Sequence, residues 1–208
     1  MKILEKIFGI LVIVSIIMKM FNVLGSGILF TLATSSLMLI YFYIGFAIFN
    51  NITFKGIFIK ASYKDLSVLR IIGSIAVGMA LSTILTGILF RLQHWPGANL
   101  NLATGLILSS IILVIGLIRY LKNKDNFYRN IFLRFILIGG FGLILFFTTD
   151  FTIDKIRYRN YPDYIKAIEN LQKDPNNEAL KKKANYEYNK IFFTAEEMEY
   201  MNMNDNKE

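Results

Sequence analysis

Chemically active side chains are concentrated in one short stretch between two long apolar segments, residues 90–100, which read FRLQHWPGANL. His94 is the single histidine and can titrate near neutral pH, which allows a proton-sensing interpretation. The simpler interpretation is a turn at a membrane surface, with Arg91 extended toward lipid headgroups and Trp95 at the interface. The remaining residues fit that turn as chain breakers and a helix cap: Pro96, Gly97, Ala98 and Asn99.

Other reactive groups are few. Without cysteine the chain can form neither a disulfide nor a thiolate metal site, and one histidine cannot build a tetrahedral or dinuclear centre. The chain has no Gly-x-Ser-x-Gly, no His-Glu-x-x-His and no phosphate-binding glycine loop. The acidic group near the C-terminus lies on a predicted exposed helix, where charge usually means solvation: Glu196, Glu197 and Glu199. We therefore predict no enzyme activity, no metal and no cofactor.

The elements that position these residues are apolar helices. Of the 208 residues 54% are hydrophobic and 18% charged, and the charges crowd between five apolar segments. The segments cover about residues 5–24, 28–49, 70–90, 99–118 and 131–149, each near the ~20 residues a transmembrane helix needs. Strands of a membrane barrel would be about half as long and would alternate polar with apolar residues. The pattern predicts an all-α polytopic membrane domain, residues 1–149, with five transmembrane helices; for the first, a signal peptide is the alternative.

Basic residues indicate the orientation. With the N-terminus in the cytoplasm, inside segments hold eleven Lys and Arg residues and the outside turns hold two, Lys19 and Arg91. This predicts a bacterial inner membrane protein whose C-terminal residues 150–208 lie in the periplasm. The first 149 residues carry thirteen basic and three acidic residues, net +10, and the tail carries ten and twelve, net −2. Because the positive charge lies beside a membrane, anionic headgroups are its expected partner, and nucleic acid is not.

The tail is predicted to be helical. Pro162 begins a helix through Gln172, and a second helix from Glu178 to about Lys190 contains a Glu178/Lys182 pair. Thr194 and Glu197 form a capping box at the start of a third helix. Such a 59-residue segment has few large apolar residues, so we expect it to dock on its own membrane helices or on a partner.

The two predicted outside turns resemble each other. Lys19 aligns with Arg91, Gly25 with Gly97, and residues 32–34 with residues 102–104, with two extra residues in the first turn. The membrane domain is thus predicted to contain two similar helical hairpins plus one helix.

Small residues at four-residue spacing mark the third segment: Ser74, Gly78, Ser82 and Thr86. Such a row lets two helices approach closely, and lining a pore is the less favoured alternative. No Asp, Glu or Lys lies in the middle of an apolar segment, which disfavours an ion-coupled transporter.

One motif resembles a known family. Arg91, two residues and then His94-Trp95-Pro96-Gly97-Ala98 between two membrane helices resembles the first hairpin of GldL, the inner-membrane motor subunit of the gliding and type 9 secretion machinery. The likeness covers about residues 81–118, and Gly105 also matches. In that family the second helix bears a glutamate implicated in proton-driven rotation, and that position is Ser109 here. A motor is therefore not what the resemblance implies for this chain.

Taken together, these features predict a non-catalytic membrane protein that serves as a structural or interaction subunit. Its expected partners are the lipid bilayer and either another protein or a second copy, through the helices and the tail. The alternative is a small channel or transporter for an uncharged solute.

Overall fold

The computed structural model describes residues 1–194, 197 and 198, and in that part the chain forms helices and no strand. Four helical segments are long and apolar enough to cross a membrane: Ser26–Phe49, Val68–Leu92, Ala98–Asn123 and Asn126–Phe147. This confirms an all-α fold with the character of a membrane protein. The first helix, Lys2–Met20, is not among the four, since four charged residues interrupt its 19 residues. A fifth span stays a prediction.

The elements of the membrane part are α1 (Lys2–Met20), α2 (Ser26–Phe49), α3 (Val68–Leu92) and α4 (Ala98–Asn123), followed by α5 (Asn126–Arg134), a π-helical turn (Phe135–Gly139) and α6 (Gly140–Phe147). The last three form one continuous helical segment. It begins five residues before the predicted start at residue 131, because the Asp125 carboxylate accepts a hydrogen bond from the Phe127 amide at 2.8 Å and caps the helix. Arg134, which we counted among the eleven basic residues of the cytoplasmic side, lies within this segment.

The core is centred on α3. This helix packs against α2 on one side and α4 on the other, and it also contacts the π-helical turn and α6. Its buried face contains Val77, Ala80, Leu81 and Ile84, each at most 2% exposed. Helix α1 packs along α2. At one end of this bundle lie the turns of residues 21–25 and 93–97, here called the turn end; at the opposite end, the loop end, residues 50–67 join α2 to α3.

The residues after Thr149 form a second compact unit, Asp150–Glu208, which begins where the charge balance changes sign. Its helices are α7 (Asp150–Arg157), α8 (Pro162–Lys173) and α9 (Glu178–Phe192), of which α7 was not predicted. Asn177 caps α9 by accepting from the amides of Ala179 and Leu180.

One predicted contact of the tail differs in the structure and another is confirmed. Glu178 pairs with Lys181 at 2.7 Å, so the predicted pair with Lys182 was wrong; three and four residues on are both within reach of a helical side chain. The predicted capping box is present, because the Thr194 amide donates to Glu197 Oε2 at 2.8 Å. The rest of the predicted third helix, including Glu196 and Glu199, lies outside the described residues.

Candidate functional site

The turn that carries the motif has a defined backbone. Helix α3 ends at Leu92, and His94 and Gly97 adopt positive φ angles of 55° and 86°. The Trp95 amide donates to the Phe90 carbonyl at 2.8 Å and closes the end of α3. Glycine favours this left-handed conformation, whereas a histidine there is uncommon. Helix α4 then begins at Ala98 with Gly97 as its N-cap and no side-chain cap, so the predicted capping role of Asn99 was wrong.

Arg91 is turned inward instead of toward the headgroups. It is 7% exposed, its Nε donates to the Leu145 carbonyl at 3.2 Å, and its guanidinium donates to Asn99 Oδ1 at 2.8 Å. Asn99 is thus occupied by Arg91. The guanidinium joins the end of α3 to the first turn of α4 and to α6, where the Leu145 carbonyl also accepts from the Thr148 amide at 3.2 Å.

The other motif residues lie at the surface of the turn. His94, Trp95 and Pro96 are exposed, and Ala98 is buried. The Trp95 ring packs edge-to-face on Phe90 with centroids 5.5 Å apart and remains 43% exposed. This arrangement suits a tryptophan at a membrane interface, because part of the ring packs on an apolar neighbour and part remains exposed.

The first turn has the same backbone. Asn22 and Gly25 have φ angles of 53° and 81°, and each lies 72 residues before its counterpart, His94 or Gly97. The Val23 amide donates to the Met18 carbonyl as Trp95 does to Phe90. The turns are therefore equal in length, and the two extra residues we placed in the first turn were wrong.

The same spacing of 72 relates buried positions on both sides of the turns. Seven buried pairs share it: Val12/Ile84, Ser15/Gly87, Lys19/Arg91, Ser26/Ala98, Phe30/Leu102, Ala33/Gly105 and Leu37/Ser109. The predicted alignment of residues 32–34 with residues 102–104 places the buried Thr34 opposite the exposed Thr104, so the fold does not follow it.

A polar network joins the two hairpins at the turn end. Lys19 Nζ donates to the Leu92 carbonyl and to Gln93 Oε1, both at 2.8 Å. Gln93 Nε2 in turn donates to the Gly27 carbonyl at 2.8 Å and to Thr31 Oγ1 at 2.7 Å. Gln93 therefore connects α1, α2 and the second turn. Sequence reasoning missed it, since a single glutamine in a turn carries no signal until its neighbours are known.

An ion pair lies toward the loop end. Glu5 on α1 accepts two hydrogen bonds from the Arg134 guanidinium, at 2.5 Å and 2.8 Å, and one from the Tyr41 hydroxyl at 2.7 Å. The Arg134 and Glu5 side chains are 18% and 12% exposed. Arg134 immediately precedes the π-helical turn, a local widening of the helix that is often found at functional positions.

A second network at the loop end joins three elements. Arg70 Nε donates to Asn50 Oδ1 at 2.8 Å, and its guanidinium pairs with Asp125 at 2.7 Å. Asn50 Nδ2 donates to Ser74 Oγ at 2.8 Å. The network connects the end of α2, the start of α3 and the cap of α5.

No family model, curated protein or solved structure matches this chain.

The small-residue row on α3 faces neighbouring helices. A methyl group on Gly78 would overlap the Tyr41 carbonyl oxygen, so the backbones of α2 and α3 are in contact there. Ser74 and Ser82 are buried, and the Ser74 hydroxyl donates to carbonyls of its own helix. Thr86 donates to the Ser82 carbonyl at 3.0 Å. These contacts are those of a packing surface.

Two further positions bear on chemistry. The Ser109 hydroxyl is buried and donates to the Gly105 carbonyl at 2.7 Å. Thr34 Oγ1 is buried without a hydrogen-bond partner. Within the part of the chain that the structure describes, no three His, Asp or Glu side chains lie together as a metal site requires.

The C-terminal unit is organised around tyrosines. Tyr158 is 2% exposed and its ring lies edge-to-face on Tyr164 and Tyr188, with centroids 4.9 Å and 6.0 Å apart. Burial raises the pKa of the Tyr158 and Tyr164 hydroxyls well above the ordinary value near 10. The cluster is a small core.

Proposed function

We propose that this protein is a non-catalytic integral membrane protein that acts as a structural or interaction subunit of a membrane assembly. The observation that carries this proposal is the use of its polar side chains. Lys19, Gln93 and Arg134 each bond to a neighbouring helix, and polar groups inside a membrane are otherwise expected on substrate or ion pathways. Here they hold the helices in one arrangement.

Helix α1 is proposed as a fifth span. Its 19 residues measure about 28 Å, close to the thickness of the hydrocarbon core. It runs along α2, with Glu5 bonded toward the loop end and Lys19 at the turn end. Both charged residues have partners inside the bundle, which reduces the cost of placing them in a membrane.

The proposed orientation has the N-terminus in the cytoplasm and residues 150–208 in the periplasm of a bacterium with an inner membrane. Eleven basic residues then belong to the cytoplasmic half and two to the outside turns. A reporter enzyme that functions only in the periplasm should be active when it is fused after Glu208. A reporter that functions only in the cytoplasm should be inactive at the same position, and its activity there would contradict the topology.

Because of its motif, we propose a GldL-type role in gliding or type 9 secretion for the second hairpin. The motif residues build the turn itself: Arg91 joins it to α6, and Gly97 supplies its left-handed backbone. The position of the family's glutamate is Ser109, which bonds its own helix. The hairpin is therefore proposed as a static member of such an assembly.

The proposed partner contacts are the turn end and the C-terminal unit, where Trp95 and Tyr186 are 43% and 50% exposed. A photo-reactive amino acid at either position, introduced into cells that make the complete chain, should give a product of defined higher mass. Ile107 on α4 is 62% exposed and serves as the lipid-facing control, which should give none. Absence of a product from both test positions would contradict the interaction role, and so would retention of all partners after deletion of residues 151–208.

The sequence left one alternative open, a channel or transporter for an uncharged solute. A measurement of solute flux distinguishes this alternative from the structural subunit. A structural subunit reconstituted in liposomes should pass no more solute than empty liposomes do. Flux that disappears when Ser82 and Thr86 are replaced by leucine would overturn the proposal, because leucine would block a path along that row.

A further inference from the structure

The loop between α2 and α3 is folded. Residues 55–58 and 60–63 form two 3-10 turns, and the Tyr63 hydroxyl donates to the Ile57 carbonyl at 2.7 Å. Gly56 is buried against its own loop: a methyl group there would lie 3.0 Å from both Ser62 Oγ and Thr53 Oγ1. Ile52 is 7% exposed. A compact loop of this kind holds its outward side chains in fixed positions.

Those outward side chains are large and apolar. Phe54, Phe58 and Ile59 are 61%, 80% and 52% exposed, and the two phenylalanine rings pack edge-to-face with centroids 6.2 Å apart. Water at a protein surface disfavours such a patch, which usually marks a contact with a membrane or another molecule. The loop directly joins two helices long enough to cross a membrane, so the patch lies within a few residues of the bilayer surface.

Three exposed lysines accompany the patch: Lys55, Lys60 and Lys64. Among the described residues no carboxylate lies within ion-pair distance of any of them. Within residues 51–67 Asp65 is the single acidic residue. Lysines around aromatic side chains at a membrane surface complement anionic headgroups, with the aliphatic stems buried and the ammonium groups on phosphate.

We propose that this loop is a binding site for anionic phospholipid headgroups of the adjacent leaflet. Phe54, Phe58 and Ile59 insert at the level of the headgroups, and the lysines bind the phosphates. A bilayer is favoured over a protein partner because the aromatic patch and the positive charge occur together beside two membrane-length helices. The inference needs α2 and α3 to span the membrane and is independent of the proposed subunit role.

The test uses the absence of cysteine from the chain. Ala61, exposed on the second 3-10 turn, is replaced in the full chain by a single cysteine that carries a fluorophore. The protein is reconstituted in vesicles of phosphatidylcholine and phosphatidylglycerol, with one or the other lipid brominated near its headgroup. The ratio of quenching by the two lipids then reports which one is enriched at the loop. Ile107→Cys, on the outer face of α4, is the matched position away from the loop.

We expect phosphatidylglycerol to be enriched at Ala61→Cys by about fivefold for each lysine that binds a headgroup, and less at high salt. At Ile107→Cys the two lipids should quench equally. Replacement of Lys55, Lys60 and Lys64 by glutamine should reduce the ratio at the loop to the value at residue 107. Replacement of Lys122 and Lys124 by glutamine, which removes charge near the end of α4, should leave the ratio unchanged.

Each other outcome contradicts the proposal. Equal quenching at the loop in the parent chain, or a ratio that survives the triple replacement, would show that the lysines select no lipid. Loss of enrichment on addition of inorganic phosphate at constant ionic strength would indicate a site for a free anion. No quenching by either lipid would mean that the loop is covered by protein or faces water. Unchanged far-UV circular dichroism of the variants establishes that they are folded.

Discussion

Lys19 and Arg91 occupy equivalent positions in the two hairpins, 72 residues apart, and both are 7% exposed. Each places a cation inside the last turn of a helix, before a turn with the same pair of positive φ angles. Their bonds differ in direction. Lys19 reaches across to the second hairpin, at Leu92 and Gln93, whereas Arg91 bonds Asn99 of its own hairpin and Leu145 of α6.

The helix contacts below the turns differ as well. In the second hairpin a methyl group on Gly87 or Gly105 would lie 2.7 Å from an atom of the facing helix. At the equivalent positions the first hairpin has Ser15 and Ala33, which are buried but carry side chains. Helices α3 and α4 are thus held by direct backbone approach, and α1 is held to its neighbours by polar bonds. One turn geometry serves two kinds of helix pairing.

The largest expected effect is on the attachment of the first hairpin to α5. Glu5→Gln leaves the Arg134 guanidinium without its counter-ion in a site where both side chains are mostly buried, and we expect a loss of about 3 kcal/mol in the free energy of unfolding. Denaturation in mixed micelles, followed by circular dichroism, measures it. In a double-mutant cycle Glu5→Gln with Arg134→Gln should cost less than the sum of the single changes. Strict additivity would show that the pair does not interact.

The close approach in the second hairpin predicts the next effect. Gly105→Ala places a methyl group 2.7 Å from Ile84 Cγ1 and 2.8 Å from the Ile84 backbone nitrogen, which cannot move independently of α3. We expect a loss of about 2 kcal/mol in the same assay. Gly140→Ala is the matched control, since nothing lies within 4 Å of the added group, and it should be neutral or stabilising by up to about 1 kcal/mol. Equal stability of the two variants would refute the tight contact.

The hydrogen bonds of Gln93, which join the two hairpins, predict a smaller loss of stability. This loss should occur when the second turn is changed and not when the equivalent position of the first turn is changed. Gln93→Leu removes an acceptor of Lys19 and the donor to Gly27 and Thr31, and we expect a loss of roughly 1–2 kcal/mol. Phe21 occupies the equivalent position in the first turn and is 70% exposed, so Phe21→Leu should change stability by less than about 0.5 kcal/mol. Similar losses for the two variants would mean that Gln93 does not link the hairpins.

The sequence predicted the parts of this arrangement that depend on local pattern. Long apolar runs predicted the helices, and the resemblance between the surroundings of Lys19 and Arg91 predicted two similar turns. The boundary at Thr149 followed from a change in charge. Each of these signals lies within one segment of the chain, where periodicity and composition reflect what the backbone does.

Contacts between distant segments could not be predicted in the same way. Glu5 and Arg134 are 129 residues apart, and each alone resembles a charge at the end of an apolar run. The fifth segment was counted from Ile131, where the apolar run begins, although the helix starts at Asn126 beside its Asp125 cap. Arg91 was expected at the headgroups, since no single-segment pattern reveals the carbonyl of Leu145 beside it.

The smallest expected effect tests whether the two turns are equivalent. Gly25 and Gly97 have φ angles of 81° and 86°, where a side chain is strained, and a methyl group at either would meet no atom closer than 3.8 Å. Gly25→Ala and Gly97→Ala should therefore each cost about 1 kcal/mol from backbone strain alone, and by the same amount within error. Gly9→Ala, at an uncrowded helical position without positive φ, is the control and should not destabilise the protein. A much larger loss at Gly97 than at Gly25 would mean that the second turn has a constraint that the first one lacks, and the repeated backbone would then not imply a repeated role.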